Sequence, residues 1–312
     1  MSLLSTTPIT LSGPLRAPAQ MLAEQRYAGH KSVHDADSAA RLGLPGAPIE
    51  GPTHFSQIEP LALAIWGERW HTHGCISAHF QNMVIEGEQV RAELLLDGPG
   101  VTSGRIQAFK ADGTPVLEGT ASVGPYHGTT ALEARLAATL SRPPGTLHII
   151  DQMQVGQRGP DDVFACVDFD THLGDLYPFT LADKLDGITE RLAAHQRSAV
   201  TPWGGPVLPF EMLSVLTGAF GRDAGFTARQ PSVGLFIDLE VRMRAGPVRV
   251  GQRYRLTREL VALSQSKRTE SWWTRSTLHD GDTAVAEVLL HQGVFKASYP
   301  GYPAAQAAAA AA

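Results

Sequence analysis

The chain has 312 residues, 43% hydrophobic and 18% charged, the balance of a globular protein able to bury one large core or two ordinary ones. A formal net charge of −5, with basic residues scattered and densest only over Arg242–Arg249, excludes a nucleic-acid surface, which needs clustered cations. Outside the alanine tail no apolar run exceeds Leu61–Trp66, so no membrane span is expected; the N-terminus lacks a secretory pattern, and two cysteines, Cys75 and Cys166, suggest free thiols in the cytoplasm.

The first stretch rich in chemistry is HKSVHDADSAARLGLPGAPIEG, His30–Gly51. Asp35 suits the N-cap of a short helix over DADSAARLG, with His34 beside it. A Gly/Pro bend, Gly43–Pro52, then precedes a helix predicted from Thr53 to about Trp70. Phe55, Ile58, Ala62 and Ile65 share one face, and Pro60 is expected to kink the helix or to mark a second turn. HTHGCISAH (His71–His79) holds metal-ligand residue types, but Gly74 interrupts them and the spacing matches no zinc motif. A helix end leading into a strand is the better reading, and no metal is expected. Strands follow at Ile76–Ile85, Val90–Leu96, Val101–Lys110 and Val116–Val123, with Asp112-Gly113 as a hairpin turn. An Ala/Leu-rich helix spans about Thr130–Leu140, and SRPPG (Ser141–Gly145) separates a segment 1–140 from a segment 141–312.

The second segment repeats this order. YPFTLADKLDGITERLAAHQ (Tyr177–Gln196) stands where the first has its His/Asp loop but lacks a His-x-Asp pattern, so Lys184, Asp186, Glu190 and Arg191 read as a solvated helix face. TPWGGPVLPFEM (Thr201–Met212) bends into a helix with Leu213, Leu216 and Phe220 on one face. Leu235, Ile237, Leu239, Val241 and Met243 alternate with Phe236, Asp238, Glu240, Arg242 and Arg244, the pattern of a half-buried strand. Strands at Tyr254–Leu263, Thr269–Leu278 and Ala284–Phe295 complete the sheet, with Asp280-Gly281 as a hairpin. One helix followed by antiparallel strands, twice over, is an α+β plan in which each sheet wraps a helix. No Walker or dinucleotide glycine fingerprint occurs.

The His30–Gly51 stretch resembles the motif D-x-N-P-x-H-x-D-x-x-x-A-x-x-x-G of MaoC-like acyl-thioester hydratases and dehydratases. In the preferred register Asp35, Ala39 and Gly43 match and Val33 takes the histidine position; anchoring on His34 instead retains only Ala40. The family's catalytic aspartate falls on Ala28 or Gly29, its asparagine on His30 or Lys31, and its helix-opening His-Gly pair on Glu50-Gly51. The resemblance implies a double hot-dog, one repeat in 1–140 and one in 141–312. It also implies a hydro-lyase acting on thioesters of coenzyme A or a carrier protein, with no cofactor beyond that carrier, and a homodimer. Hydrolysis of the thioester, or acyl binding without catalysis, are the alternatives.

Hydration beside a thioester carbonyl needs an acid/base and a donor for the carbonyl oxygen. His34 is the expected proton carrier, with Asp35 or Glu50 as partnering carboxylate, although His34 and Asp35 could equally cap the short helix. Gly51 and Thr53, at a helix N-terminus, are the expected carbonyl donors. His54 faces either the ligand groove or solvent. Glu211, early in the second helix, either activates water or meets the helix dipole. Leu208, Pro209 and Phe210 suit a wall for an apolar acyl chain, which places the chemistry in the first repeat.

Overall fold

The computed structural model describes residues 7–27, 29–221 and 225–302. In the first half β1 (Ile9–Ser12), β2 (Arg26–Tyr27), β3 (His30–Lys31) and α1 (Ala36–Arg41) precede a 3-10 turn over Gly51–His54. α2 (Phe55–Trp66), α3 (Arg69–His73), β4 (Gly74–Phe80), β5 (Val90–Leu96), β6 (Ser103–Lys110) and β7 (Pro115–Val123) follow. α4 (Ala131–Leu140) then leads to β8 (Phe164–Ala165), α5 (Leu181–Gly187), α6 (Phe210–Phe220), β9 (Gly234–Met243), β10 (Tyr254–Gln265), β11 (Thr269–Asp280) and β12 (Thr283–Phe295).

Ten of the strands form one antiparallel sheet in the order β1-β5-β6-β7-β4-β9-β12-β11-β10-β8. Outward from the central pair β4–β9 the two wings match strand for strand, so each half contributes five strands in the same order. Alternation sets the inner face: Val90, Ala92, Leu94 and Leu96 of β5 are buried, and Leu239, Val241 and Met243 of β9 join them in one core spanning both halves. Helices α2 and α6 pack in that core and touch one another. Trp70 of α3 stacks on Phe210 at 4.6 Å and on Trp66 at 5.7 Å. The single helix expected to reach Trp70 is two helices. Pro60 lies inside α2 without ending it, and the break falls at Gly67, whose φ of 57° ordinary residues avoid.

The outer face of the sheet is not the solvated one expected for β9. α4, closed at Thr130 by a capping box with Glu133, lies across β4, β7, β9 and β10. Asp238, Glu240 and Arg242 are therefore buried as well, and buried charge needs partners. Asp238 receives His79 Nδ1 (2.7 Å), His291 Nδ1 (2.6 Å) and Arg135 Nε (2.8 Å), while Arg242 joins Glu240 and Glu133 at 2.7 Å each. Among the described residues no helix is long and apolar enough to cross a membrane.

Candidate active site

A cavity of about 470 Å³ opens where the loop before α1, the start of the 3-10 turn and the inner ends of β9, β11 and β12 converge. Its wall is mainly apolar, with His34, Glu50, Gly51, His54 and Arg258 as notable polar or backbone features. His34 reaches it because β2–β3 is a minimal hairpin from which the chain turns into α1. Its backbone N–H donates to Ser32 Oγ (3.1 Å), and its Nδ1–H donates to the Pro48 carbonyl at 2.6 Å. A carbonyl only accepts, so this bond fixes the neutral tautomer and leaves a lone pair on Nε2, which has no partner among the described residues. Burial lowers the His34 pKa below the ordinary histidine value, opposed by the Pro48 carbonyl and by the charge of Glu50.

Gly51 opens the 3-10 turn that runs into α2, and its N–H has no acceptor among the described residues. A Cβ here would meet the Phe80 ring at 3.1 Å, so glycine keeps this stretch of backbone uncovered. Pro52, in the first turn, forfeits only a donor that the turn would leave unused. His54 is buried on the same wall, its Nδ1 unpartnered; burial, helped by Lys184 and Lys110, holds its pKa down to about 4.

Behind this wall lies a cluster of buried charge. Lys184, wholly buried, donates to Glu50 Oε2 (2.9 Å) and to Thr53 Oγ1 (3.0 Å) and stands 4.0 Å from Glu211. Glu59 faces His195 Nε2 at 3.3 Å, and Glu190 faces Arg16 at 3.3 Å. Each of three carboxylates faces a basic side chain, and Glu211 is the fourth. Both of its oxygens lack hydrogen-bond partners, and burial, added to the charges of Glu50, Glu59 and Glu190, raises its pKa to about 8 against the pull of Lys184. Lys184 keeps its charge although burial opposes it, because Glu211 and Glu50 raise its pKa, and the direct hydrogen bond goes to Glu50. Glu211, with its pKa raised to about 8, is therefore the carboxyl of the set that holds its proton at neutral pH.

Solved structures share this architecture. One, assigned as a MaoC domain protein dehydratase from Chloroflexus aurantiacus, matches at 14% identity over 94% of this chain and 95% of its own, with a TM-score of 0.51. Another, a Mycobacterium tuberculosis protein described as having a double hot-dog fold, matches at 14% identity over 94% and 97%, with a TM-score of 0.56. The fold is a double hot-dog. No protein-family model and no curated protein matches the sequence, and at these identities the likeness is one of fold.

Within the double hot-dog the expected site residues divide. His34, Glu50, Gly51 and His54 line the cavity together. Asp35 does not: its carboxylate caps α1 through Ser38 N–H (3.0 Å) and pairs with Lys31 (2.8 Å). Thr53 is turned to Lys184, and Glu211 is sealed in the charge cluster behind the wall. Phe210, expected against an acyl chain, is absent from the lining because it is fully buried on Trp70. Lys184 and Glu190, expected in solvent, are buried, whereas Asp186 and Arg191 are exposed. Of the two positions that align with the family's aspartate, Ala28 lies outside the described residues and Gly29 has no side chain. Sequence reasoning missed Tyr27, Asn82 and Arg258 on the lining; none belongs to a local motif.

Proposed function

We propose that the protein is an acyl-thioester hydratase or dehydratase in which His34 alone moves the protons. The observation that carries this reading is a neutral imidazole with its free Nε2 at the wall of a largely apolar cavity, next to an uncommitted backbone N–H at the start of a helical run. In the hydration direction Nε2 takes a proton from water as its oxygen bonds to C3 of the enoyl group. The C2–C3 π electrons move toward the thioester oxygen, where the Gly51 N–H and the positive end of the helical run meet the developing charge. The imidazolium, supported by Glu50, then returns its proton to C2. The acid/base step is worth about 10²–10⁴ in rate and the oxyanion donor about 10²–10³.

Glu50 favours a second reading, thioester hydrolysis, because its Oε1 lacks a partner while Oε2 is tied to Lys184. One assay separates the readings. Enoyl-thioesters incubated with the protein lose conjugated absorbance without releasing thiol if it is a hydratase, release thiol if it is a thioesterase, and do neither if it only binds. Absence of hydration across enoyl groups of several lengths and end groups would overturn the proposal.

A further inference from the structure

A cavity meant only for hydrocarbon has no need of a guanidinium, yet Arg258 of β10 is set in its wall. Its Nε donates to Ser276 Oγ at 3.2 Å and its Nη1 to the carbonyl of Gly221, the C-cap of α6. The Phe226 ring centre lies 5.6 Å from the guanidinium carbon. Among the described residues Nη2 has no acceptor and no carboxylate pairs with this arginine. Two deeper cations have carboxylates, Lys184 with Glu50 and Arg242 with Glu240 and Glu133, whereas Lys296, also buried, donates to Gln265 Oε1. Arg258 lacks a carboxylate among the described residues and lines a cavity whose ligand could supply the counter-charge. Burial lowers its pKa to about 10, which still leaves it protonated at neutral pH. The end of α6 explains Nη1 and satisfies part of the charge, but not a donor left over on the cavity side.

We propose that Arg258 binds an anionic group of the ligand, either a carboxylate on the acyl chain or a phosphate of the carrier. The inference rests on the acyl-thioester reading above. Arg258 comes from the second half of the chain and His34 and Gly51 from the first, so a ligand held by all three bridges the two repeats.

The test uses saturated thioesters, which cannot be hydrated, and calorimetric binding to the full chain. The ligands are a carboxyl-terminated and a methyl-terminated acyl group of equal length, each on N-acetylcysteamine, which carries no phosphate, and on coenzyme A. An acyl carboxylate at Arg258 makes the carboxyl-terminated N-acetylcysteamine ester bind at least about tenfold tighter than its methyl counterpart, the scale of a charge-assisted hydrogen bond. A carrier phosphate instead makes coenzyme A esters about tenfold tighter than N-acetylcysteamine esters whatever the acyl end. In Arg258→Met the relevant ratio falls to about one; Arg258→Gln, which retains an N–H donor for the α6 end, serves if the methionine variant does not fold. Wild-type ratios near one, or a ratio unchanged in either variant, would overturn the assignment of Arg258 alone. Failure of all four esters to bind would overturn the acyl-thioester reading with it. Loss of hydration with an intact Arg258-dependent preference would count only against His34 catalysis.

Discussion

Replacing Glu211 by glutamine keeps the shape of the side chain and removes its proton equilibrium. In the native protein this carboxyl titrates at about 8, against an ordinary value of 4.5, because burial and three neighbouring carboxylates disfavour its charge. A raised native pKa means that the folded state holds the proton after the unfolded chain has released it. The resulting stabilisation is fully present below pH 4.5 and is lost progressively as pH rises to about 8. Across that window of about 3.5 units, at about 1.4 kcal/mol per unit, the wild type loses about 5 kcal/mol that Glu211→Gln does not lose. Titrations of groups that do not face Glu211 cancel in the difference. Neither oxygen of Glu211 has a hydrogen bond to forfeit, and the direct bond of Lys184 goes to Glu50 instead. Urea unfolding followed by tryptophan fluorescence at intervals from pH 5 to 9 measures the difference directly. The variant should gain on the wild type with each step upward and level off above pH 8. A difference independent of pH would refute the buried neutral acid, and one running the other way would mean that Lys184 holds Glu211 ionised.

Four further outcomes follow from the same contacts. His34→Ala should lower hydration turnover by at least about 10²-fold while leaving the melting temperature nearly unchanged, read by enoyl absorbance and calorimetry. Because burial lowers the His34 pKa, the acid limb of the wild-type kcat/KM profile should fall below pH 6.5, and a limb above that value would contradict the environment described. Lys184→Met should destabilise the fold by about 3–5 kcal/mol in chemical denaturation, since it removes one partner of the buried Lys184–Glu50 pair. Phe210→Ala should cost about 3–5 kcal/mol of stability as a core truncation, with ligand affinity measured on the folded fraction little altered.

The parts of the fold written in local pattern were legible in the sequence. At Val90–Leu96 the expected and observed strands coincide, and Asp112-Gly113 and Asp280-Gly281 turn the β6–β7 and β11–β12 hairpins. Thr130, three residues before Glu133, marks the start of α4. What α4 covers could not be read, because a strand with alternating Asp238, Glu240 and Arg242 has the same sequence whether its outer face meets water or a helix. The site divides in the same way. His34 and the bend at Glu50-Gly51 stood out by residue type and place in the chain. Lys184 did not, because TLADKLDG reads as a surface helix, and only the approach of Glu50, 134 residues away, accounts for its burial. Phe210 follows a bend just as cavity residues of the first half do. Its assignment turns on Trp70, which reaches it only because α2 and α6 pack together.

The most direct test of the account is a crystal structure of the protein bound to a saturated acyl thioester. The thioester oxygen should lie within hydrogen-bonding distance of the Gly51 N–H and His34 Nε2 should face C2 and C3 of the acyl chain, with the Nδ1–H bond to Pro48 retained. A thioester seated elsewhere, or one in this cavity whose carbonyl turns away from Gly51 and whose acyl carbons lie beyond reach of His34, would contradict the proposed function.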